Sequence, residues 1–238
     1  MSLKKHSTYY EDRQLDQLAA LAEIDGRDVS KILREIADEF IRKNAHKLEL
    51  RRSFGGGALM KRLGGELGEG TVLFFGIERF AERIQGRSTV DTGAFLQQLY
   101  HVVGEVTLAH GGRVVKFMGD GGLLFFEGGT HAERGAAAGL ALAESAPAID
   151  ARSPAPISIG AASGPLLIGH FGHEQFFQFD VVGDTVNTGY GMRTLATGSF
   201  VVNDDMKQHL DGRFRFDDAG STNIAGLGGR RGWRLAVT

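Results

Sequence analysis

Two glycine-bounded stretches carry the side chains with the clearest chemical potential. Lys116 and Asp120 lie in VVKFMGDGG, and Asp180 and Asn187 lie in FDVVGDTVN. A lysine donates hydrogen bonds, a carboxylate accepts them or binds a hard cation, and an amide does both. Each residue alone has an ordinary structural explanation, because a strand lysine can face solvent and an aspartate can cap a turn. Taken together, they favour contact with a ligand.

The overall composition excludes several other chemistries. The 238 residues include no cysteine, which excludes disulfides, thiolate metal sites and cysteine nucleophiles. The formal net charge of −2 gives no global attraction to nucleic acid. No apolar run approaches the length of a membrane span, so we expect no membrane contact and a cytoplasmic location. The spacing of five histidines matches no metal-ligand set, so we expect turn or surface positions for His101, His110, His131, His170 and His173.

The N-terminal segment has its own pattern of elements. Residues 3–10 alternate enough to form a short strand, and residues 12–24 carry leucines at helical spacing. Residues 29–41 form a strongly amphipathic helix, which Asp28 or Ser30 can cap. A strand and two short helices cannot form a sufficient core alone, so we expect two copies to intertwine.

This segment, residues 1–50, resembles a ribbon-helix-helix module, with Gly26, Arg27 and Ser30 in the turn between its helices. The resemblance implies a homodimer whose paired strands enter the major groove of DNA, with the second helix beginning at a phosphate. The residues that it directs toward DNA are Lys5, Ser7, Tyr9 and Ser30.

Charge leaves a second interpretation of this segment open. Residues 1–52 hold 11 Lys and Arg against 10 Asp and Glu, a difference of only +1. Neutralising DNA phosphates usually requires a basic face. Lys4 and Lys5 do place two cations on the predicted ribbon. We therefore favour DNA binding, with a dimerisation module that never touches DNA as the alternative.

The remainder of the chain interleaves helical and strand patterns after a glycine-rich linker at residues 51–70. Such interleaving, with hairpins between strands, predicts an α+β domain over residues 71–238. The predicted strands are 71–77, 113–118, 123–127, 157–164, 165–172, 177–183, 199–204, 214–220 and 233–238. The predicted helices are 91–109, 131–146 and 186–196.

Three motifs give this domain a resemblance to the class III adenylate and guanylate cyclases. They are Lys116-x-x-Gly119-Asp120-Gly121, Gly160-x-x-x-Gly164, and VGDTVN at residues 182–187. The resemblance covers residues 71–238 and implies a ferredoxin-like α+β fold. It also implies a head-to-tail dimer whose nucleotide sites are built from both chains.

The part of the site that recognises the base matches the family. The resemblance implies that Lys116 donates to adenine N1 and that Asp180 accepts from the adenine amino group. Guanine presents the opposite pattern at these two positions, so the pair favours adenine. Asn187 matches the asparagine that orients the ribose in the transition state.

The metal-binding part departs from the family. Its members hold two Mg²⁺ ions with two aspartates, because both the attacking and the leaving oxygens carry charge. Asp120 matches one of these ligands, but Gly76 stands in place of the other. Glu78 is close in sequence, yet a shift of two residues on a turn rarely preserves ligand geometry.

The phosphate-binding part departs as well. The family arginine belongs four residues after Asn187, where this chain has Gly191. Arg193 comes six residues after Asn187, about 600° around a helix, so we expect it to point elsewhere. In the loop after the first strand, Arg79 replaces a glycine whose backbone approaches phosphate. Both arginines could instead hold a ligand elsewhere in the dimer groove.

These departures predict a sensor of nucleotides. Loss of one charge-stabilising donor alone costs about 10²–10³ in rate. We therefore expect a DNA-binding transcription regulator that binds a purine nucleotide, cyclic nucleotide or cyclic dinucleotide. Mg²⁺ or Mn²⁺ would be needed only if a triphosphate binds. The alternatives are an active or weakly active cyclase that uses ATP, and a non-catalytic structural dimer.

Overall fold

The structure of this protein is a computed structural model. It describes residues 65–149, 155–173, 176–210 and 212–236, together with scattered positions between 17 and 37. The chain divides into two compact units, Met1–Arg62 and Leu63–Thr238. No helix among the described residues is both long and apolar enough to cross a bilayer.

In the first unit, the described residues include helical stretches at 22–24 and 31–35. Gly26 lies between them with a φ of 62°, which suits glycine. The Asp28 carboxylate accepts a hydrogen bond from the backbone N–H of Lys31 at 2.9 Å, so Asp28 caps the second helix as predicted. The predicted strand 3–10 and the DNA-contact residues Lys5, Ser7, Tyr9 and Ser30 lie outside the described residues.

The second unit has the predicted α+β architecture, with helices packed on one mixed sheet. Its strands lie in the order β2-β3-β1-β4-β6-β8-β7, and β5 pairs with β4. The strands are β1 Gly65–Ile77, β2 Arg113–Met118, β3 Gly121–Glu127, β4 Ile157–His173, β5 Phe176–Val182, β6 Phe200–Val202, β7 Arg215–Ile224 and β8 Gly228–Ala236. The helices are α1 Phe80–Ile84, α2 Thr89–Ala109, α3 His131–Glu144, α4 Ala146–Ile149, α5 Asp184–Thr194 and α6 Asp204–His209.

The central strand β1 is buried on both faces, which explains its continuous apolar run. Leu73, Phe75 and Ile77 point to one face, where they join the core formed with α2 and α3. Val72 and Phe74 point to the opposite face, toward the side on which α5 packs. Alternation along β1 therefore assigns Gly76 to the α5 face.

Several strands have other bounds than predicted, and two of these differences have a clear physical reason. β1 begins at Gly65 rather than 71, because its first residues pair with the far end of β4. The predicted strands 157–164 and 165–172 are a single 17-residue strand. Pro165 does not break it, because β4 pairs with β6 through residue 161 and with β5 from residue 167. The missing N–H of proline thus falls where β4 has only one neighbouring strand.

The prediction that His131 lies at the surface or in a turn is wrong. It begins α3 and is buried, with Nδ1 2.8 Å from the Thr71 hydroxyl. That hydroxyl also lies 2.7 Å from the hydroxyl of Ser163 on β4. Burial lowers the pKa of His131, and the nearby charge of His209 lowers it further. The signal for this position was the polar residue Thr71 in an apolar strand, which requires a buried partner.

Candidate functional site

Lys116 and Asp180 form an ion pair although 64 residues separate them in the chain. Lys116 lies on β2 next to an irregularity in strand pairing, and Asp180 lies on β5. Lys116 Nζ donates to Asp180 Oδ2 at 2.6 Å, and Asp180 Oδ1 accepts from the backbone N–H of Val181. The two side chains are 33% and 27% exposed, so a ligand can still reach them.

The β2–β3 turn holds Asp120 against the end of β1. The carbonyl of Asp120 accepts a hydrogen bond from the Ile77 N–H at 3.1 Å. The hydroxyl of Tyr100 donates to the carbonyl of Gly119 at 2.8 Å, which fixes the turn from α2. Asp120 therefore lies beside Gly76, the residue before Ile77. Among the described residues, its carboxylate has no hydrogen-bond or ion-pair partner.

The space next to Gly76 is filled by the side chain of Arg193. A Cβ atom built on Gly76 would lie 2.6 Å from Arg193 Cζ and 2.7 Å from its Nε, and it would overlap Nη2. A cation therefore occupies the volume in which the cyclase resemblance calls for a metal-binding carboxylate. Nε of Arg193 is buried and has no hydrogen-bond partner within the described part of the chain.

Gly160 on β4 explains how Arg193 reaches this position. Helix α5 crosses β4 so closely that a Cβ on Gly160 would lie 2.6 Å from the carbonyl carbon of Met192 and would collide with the backbone of Arg193. The first glycine of the Gly160-x-x-x-Gly164 motif thus allows close packing of a helix on a strand. This packing directs the side chain of Arg193 toward the end of β1.

Asn187 lies on a different side of α5. Together with Gly191 it lines a cleft of about 450 Å³ between that helix and β7. The side chain of Ile224 on β7 blocks the space that an arginine side chain at position 191 would need. A Cβ atom built on Gly191 would lie only 2.7 Å from Ile224 Cδ1. Asn187 and Arg193 therefore point in different directions, as the helical spacing predicted.

Arg79 adopts a left-handed backbone conformation, which favours glycine. Its φ of 56° is the only positive value for a non-glycine among the described residues. The glycine that the cyclase resemblance calls for here would adopt this conformation without steric cost. The guanidinium of Arg79 pairs with Glu82, and its side chain is 73% exposed.

A two-metal site of the cyclase type does not fit these residues. Asp120 is present, but Arg193 fills the space beside Gly76. The carboxylate of Glu78 accepts a hydrogen bond from the Ser158 hydroxyl, so it is already engaged. No group of three or more acidic, histidine or cysteine side chains in the described ranges could hold a metal ion.

The structure thus separates the predicted site residues into three places. Lys116 and Asp180 lie together, Asp120 lies with Arg193 near Gly76, and Asn187 lines the cleft between α5 and β7. Arg79 follows the end of β1 and pairs with Glu82 rather than with any of these residues. The departures at Gly76 and Gly191 lie in separate segments of the sequence, whereas in the structure the side chain of Arg193 fills the space beside Gly76. A usable signal was Gly160, because a glycine inside a buried strand indicates close approach by another backbone.

Comparison with known families identifies the second unit. The profile for the adenylate and guanylate cyclase catalytic domain matches residues 65–236. The chain therefore belongs to the adenylate and guanylate cyclase family.

Individual relatives agree with this assignment. An adenylate cyclase of Mycobacterium tuberculosis is 32% identical over 174 residues, which cover 70% of this chain and 39% of that protein. The chain thus spans about two fifths of the length of this relative. The guanylate cyclase domain of RhGC from Catenaria anguillulae, solved in complex with GTP, is 25% identical, with a TM-score of 0.66 over 72% of this chain and 98% of that one. The guanylyl cyclase Cya2 shares the fold at 22% identity, with a TM-score of 0.69 over 73% and 94% of the two chains.

Proposed function

We propose that the cyclase-type unit, residues 65–236, binds a purine nucleotide and does not cyclise it at an enzymatic rate. The observation that carries this proposal is the guanidinium of Arg193 beside Gly76. Cyclisation in this family requires two metal ions to stabilise the attacking and leaving oxygens. A permanent positive charge in the place of one metal ligand repels a metal ion, so the chemical step loses its main electrostatic support.

Nucleotide binding is supported by the other end of the site. Lys116 and Asp180 offer a donor and an acceptor side by side, in a partly exposed position. That arrangement complements adenine N1 and its amino group. The solved complex of the Catenaria domain with GTP also supports a nucleotide as the class of ligand.

The complete chain, in this proposal, is a DNA-binding transcription regulator that works as a homodimer. The ribbon-helix-helix resemblance of residues 1–50 motivates this part, and the cap formed by Asp28 fits its second helix. A ligand would control DNA binding only if it has different affinities for two arrangements of the dimer.

A slow nucleotidyl cyclase is the second candidate. Membership of the cyclase family and the relatives known as adenylate cyclases favour it. The retained Asp120 and Asn187 would be its remaining catalytic residues.

An activity assay separates the two candidates. The purified chain is incubated with ATP or GTP and either Mg²⁺ or Mn²⁺, and cyclic AMP and cyclic GMP are quantified. Asp120→Asn, which removes the remaining aspartate, serves as the matched control. We expect no product above the level of this variant. Product at ordinary enzymatic rates of about 1 s⁻¹ or more, lost in Asp120→Asn, would establish the cyclase instead.

A gel-shift experiment tests the DNA-binding part. The probe is DNA from upstream of the gene, and the salt concentration is varied, because phosphate contacts make affinity salt-dependent. We expect a shift that weakens with salt and is lost in Lys5→Ala. If the chain binds nucleotide but shifts no DNA, the proposed nucleotide binding stands and the proposed role as a DNA-binding regulator is wrong.

A further inference from the structure

We propose that Arg193 acts in place of the metal ions and holds a ligand phosphate directly, so that binding requires no divalent cation and favours phosphodiesters over triphosphates. This inference rests on the proposed nucleotide site and specifies its ligand class. The two ligand types with this chemistry are a cyclic mononucleotide and a cyclic dinucleotide.

The guanidinium of Arg193 lies at the end of the site where phosphates would be held. The guanidinium lies against Gly76, within reach of the turn that carries Asp120. In the cyclase arrangement, this is the end of the site where metal ions grip phosphates. A cation fixed there meets the same phosphate oxygens that the metals would otherwise meet.

Arg193 has hydrogen-bond donors that no described residue uses. A guanidinium has five N–H donors arranged as a planar fork that suits phosphate. Among the described residues, Arg193 has no ion pair, and its buried Nε has no partner. By contrast, Arg79 is paired with Glu82, and Lys116 with Asp180. Of these three described cations, Arg193 is therefore the one whose charge is not offset by a carboxylate.

Close packing restricts the movement of Arg193. The backbone of Arg193 packs directly on Gly160, with the neighbouring Met192 fully buried. A donor that is held in place loses little conformational entropy when it binds. The backbone that carries this side chain is therefore fixed before the ligand arrives, and contact with Gly76 restricts where the guanidinium can lie.

The single positive charge of Arg193 suits a phosphodiester better than a triphosphate. A triphosphate carries several negative charges, and the nearby Asp120 carboxylate adds another. Two metal ions would offset these charges, whereas one guanidinium supplies a single positive charge. A cyclic mononucleotide carries one negative charge and a cyclic dinucleotide carries one on each of its two phosphates. Even with the Asp120 carboxylate counted, a diester group therefore leaves less negative charge uncompensated beside Arg193 than a triphosphate does.

Calorimetry on the wild-type full chain tests the dependence on metal. The probes are cyclic AMP, cyclic di-AMP, their guanine counterparts and ATP, each titrated in EDTA and in Mg²⁺. We expect at least one diester to bind with the same Kd in both buffers, within about twofold, and more tightly than ATP. Comparison of the cyclic mononucleotides with the dinucleotides then identifies which type the site takes.

Variants test the role of Arg193 itself. Arg193→Gln removes the charge and should weaken diester binding by about 10- to 100-fold, the usual range for a charge-assisted hydrogen bond. Arg193→Lys keeps the charge without the fork and should recover part of the affinity. Adenosine, which has no phosphate, should bind the wild type and Arg193→Gln equally. Arg215→Gln, an exposed arginine paired with Asp217 on β7, is the matched control and should change nothing.

The possible outcomes are distinct. Binding that requires Mg²⁺, or ATP binding more tightly than every diester, would overturn this inference and leave the nucleotide site standing. Equal losses for adenosine and diester in Arg193→Gln would also overturn it, because the residue would then act only through the fold. If no probe binds, both the inference and the proposed function fail. Should Arg193→Gln not fold, the wild-type titrations in EDTA and Mg²⁺ still decide the question.

Discussion

The two ends of the candidate site have been kept to different degrees. At the base end, Lys116 and Asp180 lie 2.6 Å apart and match the cyclase pattern in residue type. At the phosphate end, Gly76 stands where the cyclase resemblance calls for a carboxylate, and Arg193 fills the space beside this glycine. Hydrogen bonds to a base serve binding alone, whereas paired metals serve the chemical step. A domain that keeps the first and replaces the second is suited to recognising a ligand without converting it.

Gly160→Ala should lower both stability and ligand affinity more than the other substitutions. It disrupts the packing that positions Arg193 at the phosphate end of the site. The added Cβ would collide with the backbone of α5 at residues 192 and 193, and a backbone cannot swing aside as a side chain can. We expect the free energy of unfolding to fall by about 1–3 kcal/mol or more. Phosphodiester affinity should fall as well, because Arg193 moves with the helix. Denaturant unfolding and calorimetry measure the two effects.

Gly93→Ala is the control for this substitution. Gly93 lies in α2 with nothing within 4 Å of an added Cβ. Alanine there should stabilise the fold by about 0.5–1 kcal/mol, because glycine is unfavourable inside a helix. If Gly160→Ala were as harmless as this control, the close contact between α5 and β4 would not hold Arg193 in position.

Lys116→Met and Asp180→Leu test the base end and should have a smaller effect on stability. Both groups are about one-third exposed, so breaking their ion pair should cost about 0–1 kcal/mol of unfolding free energy. Affinity for adenine nucleotides should fall by about 10-fold or more in each variant, since each loses one hydrogen bond to the base. The double variant should be less than additive, because the pair acts as a unit.

Arg213→Gln is the matched control for the base end. It breaks another partly exposed ion pair, Arg213 with Glu133 at 3.3 Å, without touching the site. Its nucleotide affinity should equal that of the wild type. Unchanged binding in Lys116→Met would show that the base lies elsewhere.

The smallest expected effect lies outside both ends, at His131. Its pKa is lowered from the ordinary 6.5 by burial and by His209, so the unfolded chain takes up a proton more readily than the folded chain. The free energy of unfolding should therefore be highest above about pH 7 and fall as the pH drops below the unfolded pKa. Denaturant unfolding at pH 7.5 and 5.5 measures this dependence.

His131→Gln should reduce the pH dependence and leave nucleotide affinity unchanged at pH 7.5. His131 packs on the face of β1 opposite Gly76, which is why we expect the site to be insensitive to it. A loss of nucleotide binding in this variant would show that the two faces of the sheet are coupled.

Local patterns were sufficient for much of the fold. The periodic segment at 91–109 became α2 with a small change at its start, and the apolar run at 71–77 became the second half of β1. The break predicted at Pro165 was wrong because proline is excluded only where a second strand needs its N–H. The buried position of His131 was missed because its hydrogen-bond partner, Thr71, lies 60 residues earlier in the chain.

The sequence alone determined which residues were available to the site. It was enough to assign the cyclase motifs, to pair Lys116 with Asp180 by resemblance, and to note a glycine at position 76. What fills the space beside that glycine depends on tertiary packing, because Arg193 lies 117 positions further along the chain. Their contact depends on the packing of α5 over Gly160. A glycine inside a buried strand indicates that some backbone approaches closely, but no periodicity or spacing in the sequence identifies α5 and Arg193 as the segment that does so.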